Sequence, residues 1–204
     1  MTKDKDISTE SNILEAAKRV FQNKGMDGAR MQEIADEANI NKAMLHYYFR
    51  SKQLLFEAVF KNAFSLLSPQ LNAILNDDSS IEDKIKNFSF NYISFIIKHP
   101  YLPNFIIQEL NRNPEFMSTI QTISGFPNIE KFKNQVKKEV EMGLIIPIEA
   151  EQLFINIMAL NIFPFVAKPL VKALINKNDA DMNTILEARK NEVSNFIINA
   201  IKRK

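Results

Sequence analysis

The 204-residue chain has no cysteine and no tryptophan, only two histidines, His46 and His99, and only four glycines. Lack of cysteine removes disulfides and thiolate metal sites, and two histidines so far apart in sequence do not suggest a zinc cluster. No metal and no cofactor is therefore expected. The shortage of glycine favours helices over a turn-rich β architecture. Long hydrophobic runs are missing too: nothing approaches the roughly 20 apolar residues a membrane crossing takes. Met1 to Glu10 is polar and acidic where a secretory signal would turn apolar. The expectation is a cytoplasmic chain with no membrane partner. Nor is there an excess of charge of one sign. Lys and Arg number 26 against 24 Asp and Glu, a net of +2, so the placement of charge matters more than its sum. What is present is apolar bulk, 46% hydrophobic with 16 Phe and 8 Met, enough to fill the core of one or two domains.

Helical spacing recurs along the chain. Ile13, Leu14, Ala17, Val20 and Phe21 form one stripe, ending at Asn23-Lys24-Gly25. A two-turn pattern, Met31, Ile34, Ala35 and Ala38, stops at Asn39, a residue that tolerates left-handed backbone angles. Asn41 then caps a short helix Lys42 to Tyr48, with Leu45, Tyr48 and Phe49 on its inner side. Ser51 caps a longer helix through Leu54, Leu55, Ala58, Val59, Ala63, Leu66 and Leu67 towards Pro69 or Leu75, which links two halves. After the polar run Asn76 to Ser80, further helices are predicted. They lie at Ile81 to His99, around Tyr101 to Asn111, at Pro114 to Ile123 and at Asn128 to Met142, closed by Gly143; two long apolar segments remain, Glu149 to Phe163, interrupted or ended near Pro164, and Met182 to Ile201, with Lys168 to Asn178 between them. Leu144-Ile145-Ile146 reads equally as a packed linker or a strand.

Two short helices joined by the three-residue turn Asn39-Ile40-Asn41 are held at a steep angle, which suits one to lie across a duplex while the other enters a major groove. On the outward side of the second lie Lys42, Ala43, Met44, His46 and Tyr47. Lys42 can donate to guanine or phosphate, Ala43 and Met44 can meet a thymine methyl, His46 can reach a base edge or phosphate, and the Tyr47 hydroxyl can reach the backbone. Lys52, in the first turn of the next helix, can hold a phosphate with that helix's amides; Arg30, Gln32 and Arg50 are secondary candidates. Between Asn39 and Glu57 stand three basic residues, Lys42, Arg50 and Lys52, and no acidic one. Spacing alone leaves a plain packing hairpin equally open.

The residues Ile13-Leu14-Glu15-Ala16-Ala17 through Phe21, then Gly25, Ile34-Ala35, Ala38, Lys42 to Phe49 and Ser51-Lys52-Leu54-Leu55 together resemble the amino-terminal domain of the TetR family of transcriptional regulators. The resemblance implies an all-α homodimer. Its amino-terminal three-helix helix-turn-helix domain (residues 1–50) binds a palindromic double-stranded operator. A linking helix joins that domain to a helical ligand-binding and dimerisation domain (51–204). It also implies that Lys42, Ala43, Met44 and His46 face bases while Tyr47 and Lys52 lie beside phosphates. Four positions depart from the pattern: Arg30 in place of a small hydroxyl cap, Asn39 in place of a turn glycine, Asn41 in place of serine and His46 in place of tyrosine. Arg30 leaves its cap to a neighbour.

In the second domain the pocket candidates are Tyr92, Phe95, His99, Phe105, Gln108, Phe126, Asn156 and Asn161, suited by bulk composition to a small apolar or aromatic effector. Phe154, Met158, Leu186, Val193, Phe196 and Ile197, on the two long apolar segments, are the dimerisation candidates. The functional expectation is a ligand-responsive repressor; an activator and a helical protein-interaction adaptor are the alternatives. An enzyme is not expected, since there is no phosphate-binding glycine loop, no His and carboxylate pair at metal spacing and no thiol nucleophile.

Overall fold

The computed structural model describes residues 2–100, 102–112, 115–121 and 127–203. These form eleven helices: α1 (Thr2–Gly28), α2 (Met31–Glu37), α3 (Lys42–Tyr48), α4 (Lys52–Asn76), α5 (Ile81–Lys98), α6 (Leu102–Arg112), α7 (Phe116–Gln121), α8 (Glu130–Glu141), α9 (Ala150–Val166), α10 (Lys168–Leu174) and α11 (Asp179–Ile201). The fold is all-α, with helix-turn-helix elements at its amino-terminal end and a bundle of helices after them. Helix α1 starts well before the apolar stripe that begins at Ile13. At Gly25, where the apolar stripe ends, φ of 67° and ψ of 177° break the helical path, and a further short helical turn runs to Gly28.

Packing divides the chain into two compact units, 1–65 and 66–204. This division falls inside α4, later than the 50/51 boundary read from sequence. The reason is that Leu55, Phe56, Val59, Phe60 and Ala63 are all buried in unit 1. Their partners there are Ile13, Ala16, Ala17, Phe21, Ile34, Ala35 and Leu45, all nearly or wholly inaccessible. The Phe21 and Phe56 rings meet edge to face at 5.1 Å. Burial of each such large side chain stabilises by about 1.5–3 kcal/mol.

Unit 2 is built on α5 and α11, which pack along each other more extensively than any other pair, with α9 against both. Two buried charges fix the ends of its helices. Lys84 on α5, 2% exposed, donates to the Ile74 carbonyl in the last turn of α4 at 3.0 Å, to the Asp77 carbonyl at 2.9 Å and to the Asp77 carboxylate. It thereby satisfies carbonyls that a helix terminus leaves open. At the other end of the turn, Glu139 of α8 accepts from the Ile81 N–H of α5 at 2.9 Å.

Helix α9 runs through Pro164 to Val166, where the sequence placed an interruption or an end near the proline. Proline has no N–H for the carbonyl four residues earlier, and that carbonyl, Leu160, instead accepts from the Arg189 guanidinium of α11. The chain then bends by 79° into α10. Gly143, at φ 69°, closes α8, and Leu144 donates back to the Glu139 carbonyl at 2.9 Å. The segment that follows is a linker with a single antiparallel bridge, Ile145 to Lys202, in which the Ile146 N–H donates to the Ile201 carbonyl at 2.8 Å.

Candidate nucleic-acid interface

The hairpin α2-turn-α3 is set by its polar residues. Asn39 has φ 53°, so the turn uses the left-handed angle expected of it, and its N–H donates to Asp36 O at 3.0 Å while Ile40 N–H reaches Ala35 O at 3.0 Å. From α1, the Asn12 amide donates to Ala38 O at 2.7 Å, which ties the turn to the first helix. Asn41 caps α3 by accepting from Met44 N–H at 2.7 Å. Arg30 supplies no side-chain cap to α2, as expected. The reciprocal half of the motif is made by Glu33, whose carboxylate accepts from Arg30 N–H at 3.3 Å.

The acidic residues of α2 are paired. Glu33 takes Lys24 at 2.6 Å and Glu37 takes Arg19 at 2.7 Å, while Asp36 accepts from Gln32 at 2.7 Å. The Lys24 hydrogen bond holds the Glu33 carboxyl below the usual carboxylate range. Such exposed ion pairs add little stability, but Lys24 and Arg19 neutralise the Glu33 and Glu37 carboxylates, which would otherwise repel a polyanion.

With Leu45 wholly buried and Phe49 8% exposed, α3 turns Lys42, Ala43, Met44, His46 and Tyr47 outward. Tyr47 is 80% and Met44 42% exposed. Tyr48 is half-buried, its ring edge-on to Tyr47 at 5.4 Å. The His46 Nδ1 lies 3.4 Å from the Arg50 carbonyl, and the Arg50 and Arg30 side chains are exposed. Lys52 begins α4, whose first turn is capped by Ser51 accepting from Leu54 N–H at 3.2 Å. Its ammonium donates to Asp27 O at 3.3 Å and Ala29 O at 3.0 Å, which leaves one of its three protons to point elsewhere. Asn12, Arg19 and Lys24 are the contributors that sequence reading missed. As polar residues on α1 they look like any solvated face until their partners across the fold are known.

The other candidates are dispersed over unit 2. Tyr92 and Phe95 are buried in α5; Tyr92 stacks on Phe88 at 5.3 Å, and burial pushes its hydroxyl up. His99 caps the end of α5 with its ring 4.5 Å from Phe95. Phe105 is half-buried, Gln108 and Asn156 are exposed, and Phe126 lies outside the described residues. Asn161 is fully buried and donates to Ser89 Oγ at 3.2 Å and Ile157 O at 2.7 Å. None of the described candidates lines the 340 Å³ cavity at the end of α5, whose walls are Ile97, Pro100, Phe165, Lys168, Asn183, Leu186 and Glu187.

The dimerisation candidates differ in how far they are covered within the protomer. Leu186, Val193 and Ile197 are each 3% exposed, because this stripe of α11 is already covered within the chain. Phe154 and Met158 are half-buried. Only Phe196, 66% exposed, stands out of α11, while on α9 the uncovered apolar residues are Ile155 and Phe163, both 55% exposed. Among the described residues there is no cluster of three or more metal-ligating side chains, and no single helix is long and apolar enough to cross a membrane.

Residues 13–59 match the family model described as bacterial regulatory proteins, tetR family. The "Probable HTH-type transcriptional regulator YttP" of Bacillus subtilis is 29% identical over 119 residues, 55% of this chain and 58% of that protein. The biofilm operon icaADBC HTH-type negative transcriptional regulator IcaR of Staphylococcus aureus (strain Newman) is 30% identical over 128 residues, 63% of this chain and 65% of that one. The matched stretch thus spans less than two thirds of either relative. Similar solved structures include HlyIIR, a hemolysin II transcriptional regulator, with a TM-score of 0.64 at 23% identity over 97% of this chain and 98% of that one. A TetR family transcription regulator from Marinobacter aquaeolei VT8 has a TM-score of 0.68 at 16% identity over 99% and 100%. These structures share the fold. The family match falls on the α1 to α4 segment that builds the hairpin and its outward helix, so residues 13–59 carry the amino-terminal domain of the tetR family of bacterial regulatory proteins.

Proposed function

We propose that the protein is a sequence-specific DNA-binding transcriptional regulator that works as a homodimer on a palindromic operator, and that it represses transcription until a small apolar or aromatic effector releases it. The observation that carries this reading is the outward face of α3. Lys42, Ala43, Met44, His46 and Tyr47 all stand exposed on a two-turn helix anchored by buried Leu45 and Phe49. That helix enters a major groove, with Lys42, Ala43, Met44 and His46 towards base edges, and Tyr47, Lys52, Arg30 and Arg50 towards phosphates. The description of IcaR as a negative regulator supports repression.

A palindrome requires two reading heads about 34 Å apart. The uncovered Ile155 and Phe163 of α9 and Phe196 of α11 support a second copy seated on those helices. The 340 Å³ cavity falls within the size range of small-molecule sites, and its Ile97, Phe165 and Leu186 walls suit an apolar effector. Release needs the effector to bind the two states unequally, by about 1–3 kcal/mol of coupling. Helix α4, which contributes residues to both units, is the route for that coupling.

The test is selection from a random duplex library with purified protein at near-physiological salt. An enriched palindrome, lost in Lys42→Ala/His46→Ala protein that stays folded, is the expected result. Absence of enrichment would favour the adaptor reading instead.

A further inference from the structure

We propose that His46 selects a base carrying an exocyclic amino group, adenine or cytosine, by accepting a hydrogen bond at Nε2. This inference rests on the DNA-reading function proposed above. The His46 Nδ1 faces the Arg50 carbonyl at 3.4 Å. A carbonyl oxygen only accepts, so a neutral ring that bonds to it carries its proton on Nδ1 and its lone pair on Nε2. The carbonyl is held in place from both sides. Phe49 closes α3 with its N–H on Leu45 O at 2.8 Å, and Ser51 caps α4. The ring itself is exposed on α3.

The other groups assigned to base edges cannot take this role. Lys42 carries only donors, and Ala43 and Met44 offer apolar surface with no strong acceptor. In the major groove the only donors are adenine N6 and cytosine N4; every other polar edge atom is an acceptor. Lys42 and His46 therefore divide the edge code between them, the ammonium taking guanine O6 or N7 and the imidazole taking an amino group. Four residues of helix rise about 6 Å, close to two base-pair steps of about 3.4 Å each. Each half-site should hold a guanine and an amino-bearing base about two steps apart.

The experiment is library selection with the full chain and with two variants, His46→Phe and His46→Lys, both at an exposed position and both checked by thermal melting. Wild type should enrich adenine or cytosine at one half-site position. His46→Phe should flatten preference there by roughly fivefold to tenfold, the worth of one hydrogen bond. His46→Lys should move the preference at that position to guanine, with the rest of the motif unchanged. A wild-type motif that survives His46→Phe intact, or one with no adenine or cytosine at the position His46 controls, overturns the assignment and leaves the regulator reading standing. No motif from wild type overturns both.

Discussion

The Arg189 guanidinium of α11 donates to the Leu160 carbonyl of α9, the carbonyl that Pro164 deprives of its helical partner. Burial pushes the guanidinium down, and its Nε finds no partner among the described residues, so the group is held there at some cost. Arg189→Leu should destabilise by about 1–3 kcal/mol, the range for a hydrogen bond to a charged group. In a Pro164→Ala background, which restores an N–H to Leu160, the same change should cost clearly less. A double-mutant cycle by urea unfolding measures the difference, and simple additivity would show that the two residues do not act as a pair.

The α2-α3 turn makes a second prediction. Asn39→Gly should be within about 0.5 kcal/mol of wild type, whereas Asn39→Ala should cost about 1 kcal/mol, because alanine is strained at positive φ. Asn12→Ala, which leaves Ala38 O without its donor, should cost a similar ~1 kcal/mol and should also weaken operator binding. Equal stability of the Asn39 variants would remove the left-handed angle from the account.

Lys52 should act on every sequence alike. Lys52→Ala is expected to lower affinity for operator and random duplex by the same factor and to reduce the slope of log K against log salt by about 0.9. Titrations at several salt concentrations check this, and a loss confined to the operator would place Lys52 at a base.

For the proposed homodimer, the exposed and buried faces of α11 separate assembly from folding. Phe196→Ser should shift sedimentation towards monomer and leave the melting midpoint nearly unchanged. Ile197→Ala should cost the protomer about 2–5 kcal/mol, as large-to-small core changes do. Removing residues 182–204 should give insoluble or monomeric protein, since α11 covers α5. A Phe196→Ser dimer as tight as wild type would move the interface elsewhere.

The Lys84 cluster predicts behaviour in acid. Burial alone would push the Asp77 carboxyl up, but hydrogen bonds from Lys84 and Ser79 and the charge of the ammonium outweigh it and hold the group below the usual carboxylate range. A lowered carboxyl contributes stability that is complete above the unfolded value and is lost as pH falls through the folded one. Asp77→Asn should therefore flatten the loss of stability below about pH 4. The effect should be small, because the side chain is 41% exposed and solvent screens the pair. Lys84→Met should cost more, about 2 kcal/mol at pH 7, by leaving the Ile74 carbonyl buried without a donor. Urea midpoints across pH 3 to 7 read both.

The sequence shows the reading head more clearly than the bundle, for physical reasons. Asn39, Asn41 and Ser51 are local devices whose effect depends on residues two or three positions away, so their spacing exposes them. Lys84 and Glu139 read as ordinary surface charges, because the backbone groups they satisfy come from other helices. The apolar stripe of α11 was visible, but periodicity does not say whether a face is covered by the same chain or by another. Leu186, Val193 and Ile197 went inward and Phe196 outward on that account. Pro164 looked like a helix interruption or end because its remedy, Arg189, lies on a different helix.

The pairing of α5 with α11, closed by the bridge from Ile145 to Lys202, has a consequence for synthesis. During translation the apolar side of α5, including Ile85, Phe88 and Ile93, leaves the ribosome about 100 residues before its cover, a wait of roughly 5–20 s at ordinary elongation rates. Unit 1 completes its own contacts long before that. The nascent chain thus carries a finished reading head ahead of an uncovered hydrophobic surface, and holdase chaperones have that interval in which to act on it.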